Sequence, residues 1–359
     1  MKSKSKKFLK EYLNAYAPVS QEVEGQKVWI DYIKEYVDEM HQDTYGTVWG
    51  VIKGKYKKDD VPYKVAIEAH CDEISWIVSH ISDDGKLSVN RFGGSDVQIA
   101  PSKKVVVHTR KNGRIPGVFG WTAIHLRKGK DTSPELKNLF IDLGYDSKEK
   151  VKELGIEVGN IVTFSDEFEI MGDYYVGKSV DNKIGGFIIA EVARKIKENN
   201  VELPFDLYII NAVQEEVGLH GAKMVAQNIK PDVALITDVC HNTDTPGIDK
   251  KQECDIRGGK GAVFEHTAQN HRMLLELMRE VADKNEIPYQ LEVGSYGNDT
   301  MGFFLANGGT PTAIIATPLK YMHTTVEMAH KDDVKSVIDI FYHTLQNIKN
   351  GQKFTYHEL

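Results

Sequence analysis

Three short runs in this chain, Leu207–Val213, Val233–Thr237 and Thr312–Ala316, are almost wholly apolar and lack the polar alternation of a half-exposed strand, and a fourth, the β-rich Lys64–His70, reads as a strand that ends at a histidine. Such runs suit strands buried on both faces, the condition of a parallel sheet covered by helices. Helical spacing fills the intervals. Ile184, Ile188, Val192 and Ile196 recur every four residues behind Asp181, a plausible N-cap, and Arg272–Asp283 and Asp333–Ile348 read as further helices. At the start, Phe8, Leu9, Tyr12 and Leu13, then Val28 through Val37, give two amphipathic helices. The chain therefore reads as α/β, with a mostly parallel central sheet and helices on both faces.

One stretch breaks this texture. From about Ile74 to Phe168, short β-rich runs (Lys104–Thr109, Ile115–Phe119, Asn160–Phe164) alternate with Gly, Asn and Asp turns. Residues 74–168 are expected to form an inserted, barrel-like β domain, and residues 1–73 and 169–359 the principal domain.

Composition narrows the function classes. A net charge of −7 leaves no basic excess for neutralising phosphates, so nucleic acid is not expected as a partner. The basic start, Met1 to Lys7, is followed by a segment interrupted by Lys10, Glu11 and Asn14, which is neither a secretory core nor a membrane span. Cys71, Cys240 and Cys254 are odd in number and form no CxxC pair, which fits a reducing, cytoplasmic setting without structural zinc.

The chemistry gathers where the buried runs stop. In chain order, His70 ends the first and Asp72 follows it, Glu215 and Glu216 follow the second, Asp238 the third, and His323 lies beyond the fourth, while Asp181 opens a helix. Carboxyl ends of strands are where open α/β sheets build their sites. Two imidazoles with several carboxylates suit zinc, cobalt or manganese. With one carboxylate shared, two such ions can hold a water between them and lower its pKa. Adjacent Glu215 and Glu216 suit a general base beside a ligand, and Asp72 is placed to accept the second N–H of His70. Taken singly these motifs say little: His-x-Asp and Glu-Glu pairs are ordinarily solvated, Asp181 alone is a cap, Cys71 a packed small residue, and His125, His220 and His330 polar contacts. Their common placement at strand ends is what raises them.

Five ordered strings carry a resemblance: Glu68-Ala-His-Cys-Asp-Glu-Ile74, Gly177-Lys-Ser-Val-Asp-Asn-Lys-Ile-Gly185, Gln214-Glu-Glu-Val-Gly-Leu-His-Gly-Ala222, Thr237-Asp-Val-Cys-His241 with Asp244-Thr-Pro-Gly247, and Pro318-Leu-Lys-Tyr-Met-His-Thr324. Over essentially its whole length the chain resembles the tetrahedral and glutamyl aminopeptidase family of dinuclear metallopeptidases. The resemblance implies that His70, Asp181 and Asp238 bind one ion and Asp181, Glu216 and His323 the other, with Asp181 bridging, Glu215 as general base and Asp72 orienting His70. It implies two divalent ions, zinc foremost and cobalt or manganese as alternatives, and a cis Asp181–Asn182 bond. It further implies short peptides as substrates and a homo-oligomer, in which the insert forms dimers that build a dodecamer. Ser75, Lys320 and Gly297–Thr300 depart from the family's usual glycine, arginine and Gly-Thr-Asp-Ala, and concern the substrate pocket rather than the ligands. Lys260 and Lys320 are candidate pocket cations for an acidic first residue.

A metal-dependent aminopeptidase is the leading expectation. The alternatives are a dinuclear deacylase or carboxypeptidase, which needs a guanidinium for a substrate carboxylate, a metal-free glycosidase using Glu215 and Asp238, and a catalytically silent peptide-binding scaffold.

Overall fold

The computed structural model describes residues 1–57, 61–127, 133–294 and 297–357. Residues 128–132 of the expected insert lie outside that set.

The four runs lie side by side at the centre of one sheet. Strands Asp206–Ala212, Lys64–His70, Val233–His241 and Thr312–Lys320 are neighbours in that order, and all run parallel. Antiparallel strands extend this core on both sides: Val48–Ile52 and Glu39–Gln42 beyond one edge, Glu327–His330, Tyr174–Gly177 and Glu169–Met171 beyond the other. Hairpins reach those edges. Met171 pairs with Tyr174 across a two-residue turn whose Gly172 has φ +59°, a conformation glycine adopts without strain.

Helices cover both faces. One side packs under Ser3–Asn14, Val23–Ile33, Val180–Glu198, Arg272–Lys284 and Lys331–Leu345, the other under His220–Ile229 and Thr300–Phe304. Val180–Glu198 lies directly on the His70 strand: a side chain at Gly185 would bring its Cβ to 2.9 Å from the Cβ of Ala69. The second helix ends at Ile33 rather than Val37; Tyr36 donates its N–H to the Ile33 carbonyl in a turn while its ring stays buried.

Asp181 does not cap its helix. Asp181 and Asn182 have non-helical backbone angles, and the bond between them is cis. The Asn182 side-chain oxygen Oδ1 instead accepts the Gly185 N–H at 3.1 Å, while its side-chain Nδ2 donates to the Thr237 carbonyl at 2.9 Å. The cap is thus supplied by the neighbour, and the Asp181 carboxylate is left for other work.

Six strands (Ser75–Ile81, Leu87–Phe92, Phe140–Asp142, Arg114–Phe119, Lys104–His108, Ile161–Phe164) close into a barrel in the β-rich stretch. Trp76, Val78, Val89, Phe119, Ile141 and Phe164 help to fill its interior, so it is a packed core rather than a pore. Among the described residues no helix is long and apolar enough to cross a membrane.

Where the barrel leaves the sheet, a buried charge cluster ties three segments together. The Glu73 carboxylate accepts the Ala17 N–H at 2.8 Å and pairs with Lys178 and, at 3.3 Å, with Lys183. Lys183 also donates to the Ala15 carbonyl at 2.5 Å and the Ser179 hydroxyl at 3.1 Å. Burial alone would raise the Glu73 carboxyl, but the two ammoniums outweigh it and hold it down at about 2. Lys178 is pushed below its ordinary value by burial, despite Glu73, with the like charge of Lys183 adding to the push. One carboxylate serves two cations, so the shifts need not mirror each other. The cluster fixes the lead-in to the helix that carries Asp181.

Candidate active site

Parallel strands bring their carboxyl ends to one edge of the sheet, and the turns there hold the polar residues. His70 is the last residue of its strand and stands opposite Ala212 in the register. That neighbouring strand ends at Ala212, and two residues later Gln214 takes a left-handed conformation (φ +57°) that turns the chain sharply. Glu215 and Glu216 follow, and both backbone N–H groups point at one carboxylate: Glu215 donates to Asp72 Oδ1 at 2.9 Å and Glu216 to Asp72 Oδ2 at 3.1 Å. Asp238 does not follow its strand, as the apolar run had implied, but lies inside the longer strand Val233–His241. His323 sits past Thr312–Lys320 with φ +60°.

These side chains converge. Asp181 Oδ1 is 3.4 Å from His70 Nε2, and Asp181 Oδ2 is 3.3 Å from His323 Nε2. On the first side Asp238 Oδ1 lies 3.7 Å from His70 Nε2; on the second, Glu216 Oε1 lies 3.4 Å from His323 Nε2. Potential ligand atoms of His70, Asp181 and Asp238 lie within 4.8 Å of one another, as do those of Asp181, Glu216 and His323. Glu215 Oε2 is 3.9 Å from His70 Nε2. All these groups except Asp72 line a cavity of about 590 Å³, with Gly94, Lys223, Cys240, Glu265, Glu292 and Met322 among its other walls.

The sequence profile of the M42 glutamyl aminopeptidase family matches residues 46–340. The chain belongs to this family. A lysyl aminopeptidase of Pyrococcus furiosus is 31% identical over 326 residues, covering 89% of this chain and 90% of that protein. The solved TET aminopeptidase of a marine sediment archaeon, Thaumarchaeota archaeon SCGC AB-539-E09, superimposes with a TM-score of 0.90 at 30% identity, covering 96% of this chain and 97% of that one. TET1 peptidase of Pyrococcus horikoshii, solved as a tetrahedron or a large octahedral shell, matches at a TM-score of 0.81 and 26% identity over 94% of this chain and 98% of its own. As an M42 member the chain is a peptidase, and its aminopeptidase activity is metal-dependent.

The electrostatics of this M42 site fit a divalent cation. Asp72, Asp181, Glu215, Glu216 and Asp238 crowd around two imidazoles, and the ion pairs at the site among the described residues involve neither lysine nor arginine. Burial works against charge on His323, yet Asp181 and Glu216 hold it up to about 11. Glu215 is pushed well above the ordinary carboxyl range, first by burial and also by the charges of Asp299, Asp238 and Glu216. Burial likewise raises Glu68, two residues before His70 on the same strand face, up to about 8. So much negative charge in a shielded place calls for cations.

Asp72 lies beside His70 and also beneath the two glutamates. Its Oδ1 is 3.5 Å from His70 Nδ1, which makes no hydrogen bond, and its firm bonds go to the glutamate backbone instead. Two further positioning groups carried no sequence signal. Buried Glu327 accepts the backbone N–H of Asp181 at 3.1 Å and of His323 at 2.8 Å, and the Gly94 carbonyl, from the barrel side, is 3.2 Å from His323 Nδ1. Lys260 and Lys320 are absent from the cavity wall; the Lys320 ammonium lies 5.3 Å over the Tyr174 ring. His330 caps a helix by accepting the Asp332 N–H at 3.2 Å, and Cys71 is packed in the main core.

Proposed function

We propose that the chain removes the first residue of short peptides with two divalent ions, zinc foremost and cobalt or manganese as alternatives. His70 and Asp238 hold one ion, Glu216 and His323 the other, and Asp181 is shared between them. The observation that carries this reading is the Asp181 carboxylate, whose two oxygens face opposite imidazoles at nearly equal distances of 3.4 and 3.3 Å. The ions, when bound, would polarise the scissile carbonyl and acidify water near it. Glu215 takes the proton of the attacking water and passes it to the departing amine. Asp72 holds both glutamates by their N–H groups, which keeps the base turned differently from the adjacent ligand, and it lies near enough to His70 to favour one ring orientation. Among the described residues no arginine lines the cavity, so none of them offers there the guanidinium that a carboxypeptidase or deacylase would need.

Metal-loaded protein is expected to release the first residue from free-amine peptides, to lose that activity on chelation, and to regain it as an individual ion is restored. The N-acetylated twins should be left intact. Turnover that survives complete chelation, or equal cleavage of the acetylated peptides, would overturn the reading.

Residues 74–168 we assign as a dimerisation domain, with dimers building a closed dodecamer as the P. horikoshii relative builds shells. Its exposed Ile124 and Leu126 offer apolar surface for such a contact. Light scattering at assay concentration should give the mass of an assembly; a monomer at all concentrations would refute it.

A further inference from the structure

The family's own description is glutamyl, whereas a relative of this chain is named a lysyl enzyme, so membership leaves the first residue open. The cavity wall beyond the metal-ligating groups is more telling. Two residues on from Asp238, and on the same strand face, Cys240 carries the wall outward. Glu265 and Glu292 complete it. They are the last residues of strands Ala262–Glu265 and Tyr289–Glu292, which pair in parallel with Glu265 opposite Glu292, so two carboxylates leave neighbouring strand ends together.

Among the described residues no ion pair gives either carboxylate a cation. Glu265 is only 4% exposed, yet no ion pair or side-chain hydrogen bond engages it among the described residues, and the groups acting on it are the negative charges of Glu292 and Asp238. Burial first, and those charges next, push it well above the ordinary carboxyl range. Glu292 is raised by burial to about 7, with a hydrogen bond to the Cys240 thiol working against the rise. Among the described residues the cavity wall carries one lysine, Lys223, which is exposed and donates its ammonium to the Gly218 carbonyl at 2.8 Å. A buried carboxylate with no partner is costly, and an arriving cation relieves that cost, whereas a third carboxylate would add to it.

We propose that this pocket selects peptides whose first residue is lysine or arginine, with Glu265 and Glu292 receiving the side-chain cation. The proposal rests on the aminopeptidase reading and deepens it. Val239, Val293 and Met322 supply apolar wall for the methylene stem of such a side chain. Glutamate at the first position would be repelled, and leucine would leave both carboxylates unpaired.

The test uses metal-loaded wild-type protein and the tripeptides Xaa-Ala-Ala with lysine, arginine, leucine or glutamate first. Charge-assisted bonds of this kind correspond to about 10- to 100-fold in kcat/KM, so lysine and arginine should exceed leucine by that factor and glutamate by more. Glu265→Gln and Glu292→Gln should each narrow the lysine-to-leucine ratio by about tenfold. Glu292→Lys, at the less buried of the two sites, should shift preference toward glutamate. Glutamate-first cleavage as fast as lysine-first in the wild type overturns the proposal whether or not any variant folds. So does an unchanged lysine-to-leucine ratio in both glutamine variants, which would mean that the carboxylates hold the terminal amine common to all substrates. Failure to cleave any of the four refutes the aminopeptidase reading itself, while leucine-first cleavage without a cationic preference refutes only the pocket.

Discussion

Replacing Glu215 with glutamine is expected to lower kcat by about 10²- to 10⁴-fold, with metal content unchanged. The amide keeps the size of the carboxylate but cannot take a proton, so the loss falls on the chemical step. The backbone on which the side chain stands is held independently, by the Glu215 N–H donated to Asp72 at 2.9 Å, and the adjacent Glu216 faces His323. The substitution therefore separates base from ligand. Steady-state kinetics with metal analysis of the same preparation checks it. A drop of only a few-fold would move the proton transfer to another group, and a parallel loss of metal would mean that Glu215 is a ligand.

Glu73→Gln should destabilise the fold by about 3–5 kcal/mol, because it leaves Lys178 and Lys183 buried without their counter-charge. Their side chains are 6% and 0% exposed, so water cannot take over the role. The wild type should show the same interaction through pH. Glu73 has a folded pKa depressed to about 2, so its contribution is fully present above the unfolded carboxyl value of about 4.3 and is lost as pH falls from there through about 2. Denaturant unfolding of wild type and variant at pH 7 and in steps below pH 5 reads both effects: the gap should be largest at neutral pH and shrink on acidification. A gap below about 1 kcal/mol at pH 7 would show that the pair acts as a solvated surface bridge instead.

The parallel centre of the sheet was legible because burial on both faces leaves a one-dimensional trace, the uninterrupted apolar run at Leu207–Val213 or Thr312–Ala316. The approach of His70, Glu216 and His323 was legible for a related reason: parallel strands deliver what ends or follows them to a common edge. What escaped was everything decided by side-chain direction or by backbone partners. Asp72 spends its carboxylate on two N–H groups more than 140 positions away, Glu327 holds two ligand backbones, and neither belongs to a periodic pattern. Asp181 looked like a cap because caps and ligands share residue types; only the backbone angles at 181–182 pass the capping role to Asn182. Lys320 sat in a motif beside His323, but as the last residue of its strand it turns to Tyr174 and away from the cavity.

Gly94 lies 229 positions from His323, on the barrel side of the molecule, with its carbonyl against the imidazole. An ideal Cβ at this glycine would come within 2.5 Å of His323 Nδ1. The ring is therefore gripped between the sheet that supplies it and a loop from the neighbouring unit, with no slack between them. A displacement of the barrel against the sheet would therefore press directly on that histidine, which ties the seating of the smaller unit to the shape of the catalytic edge.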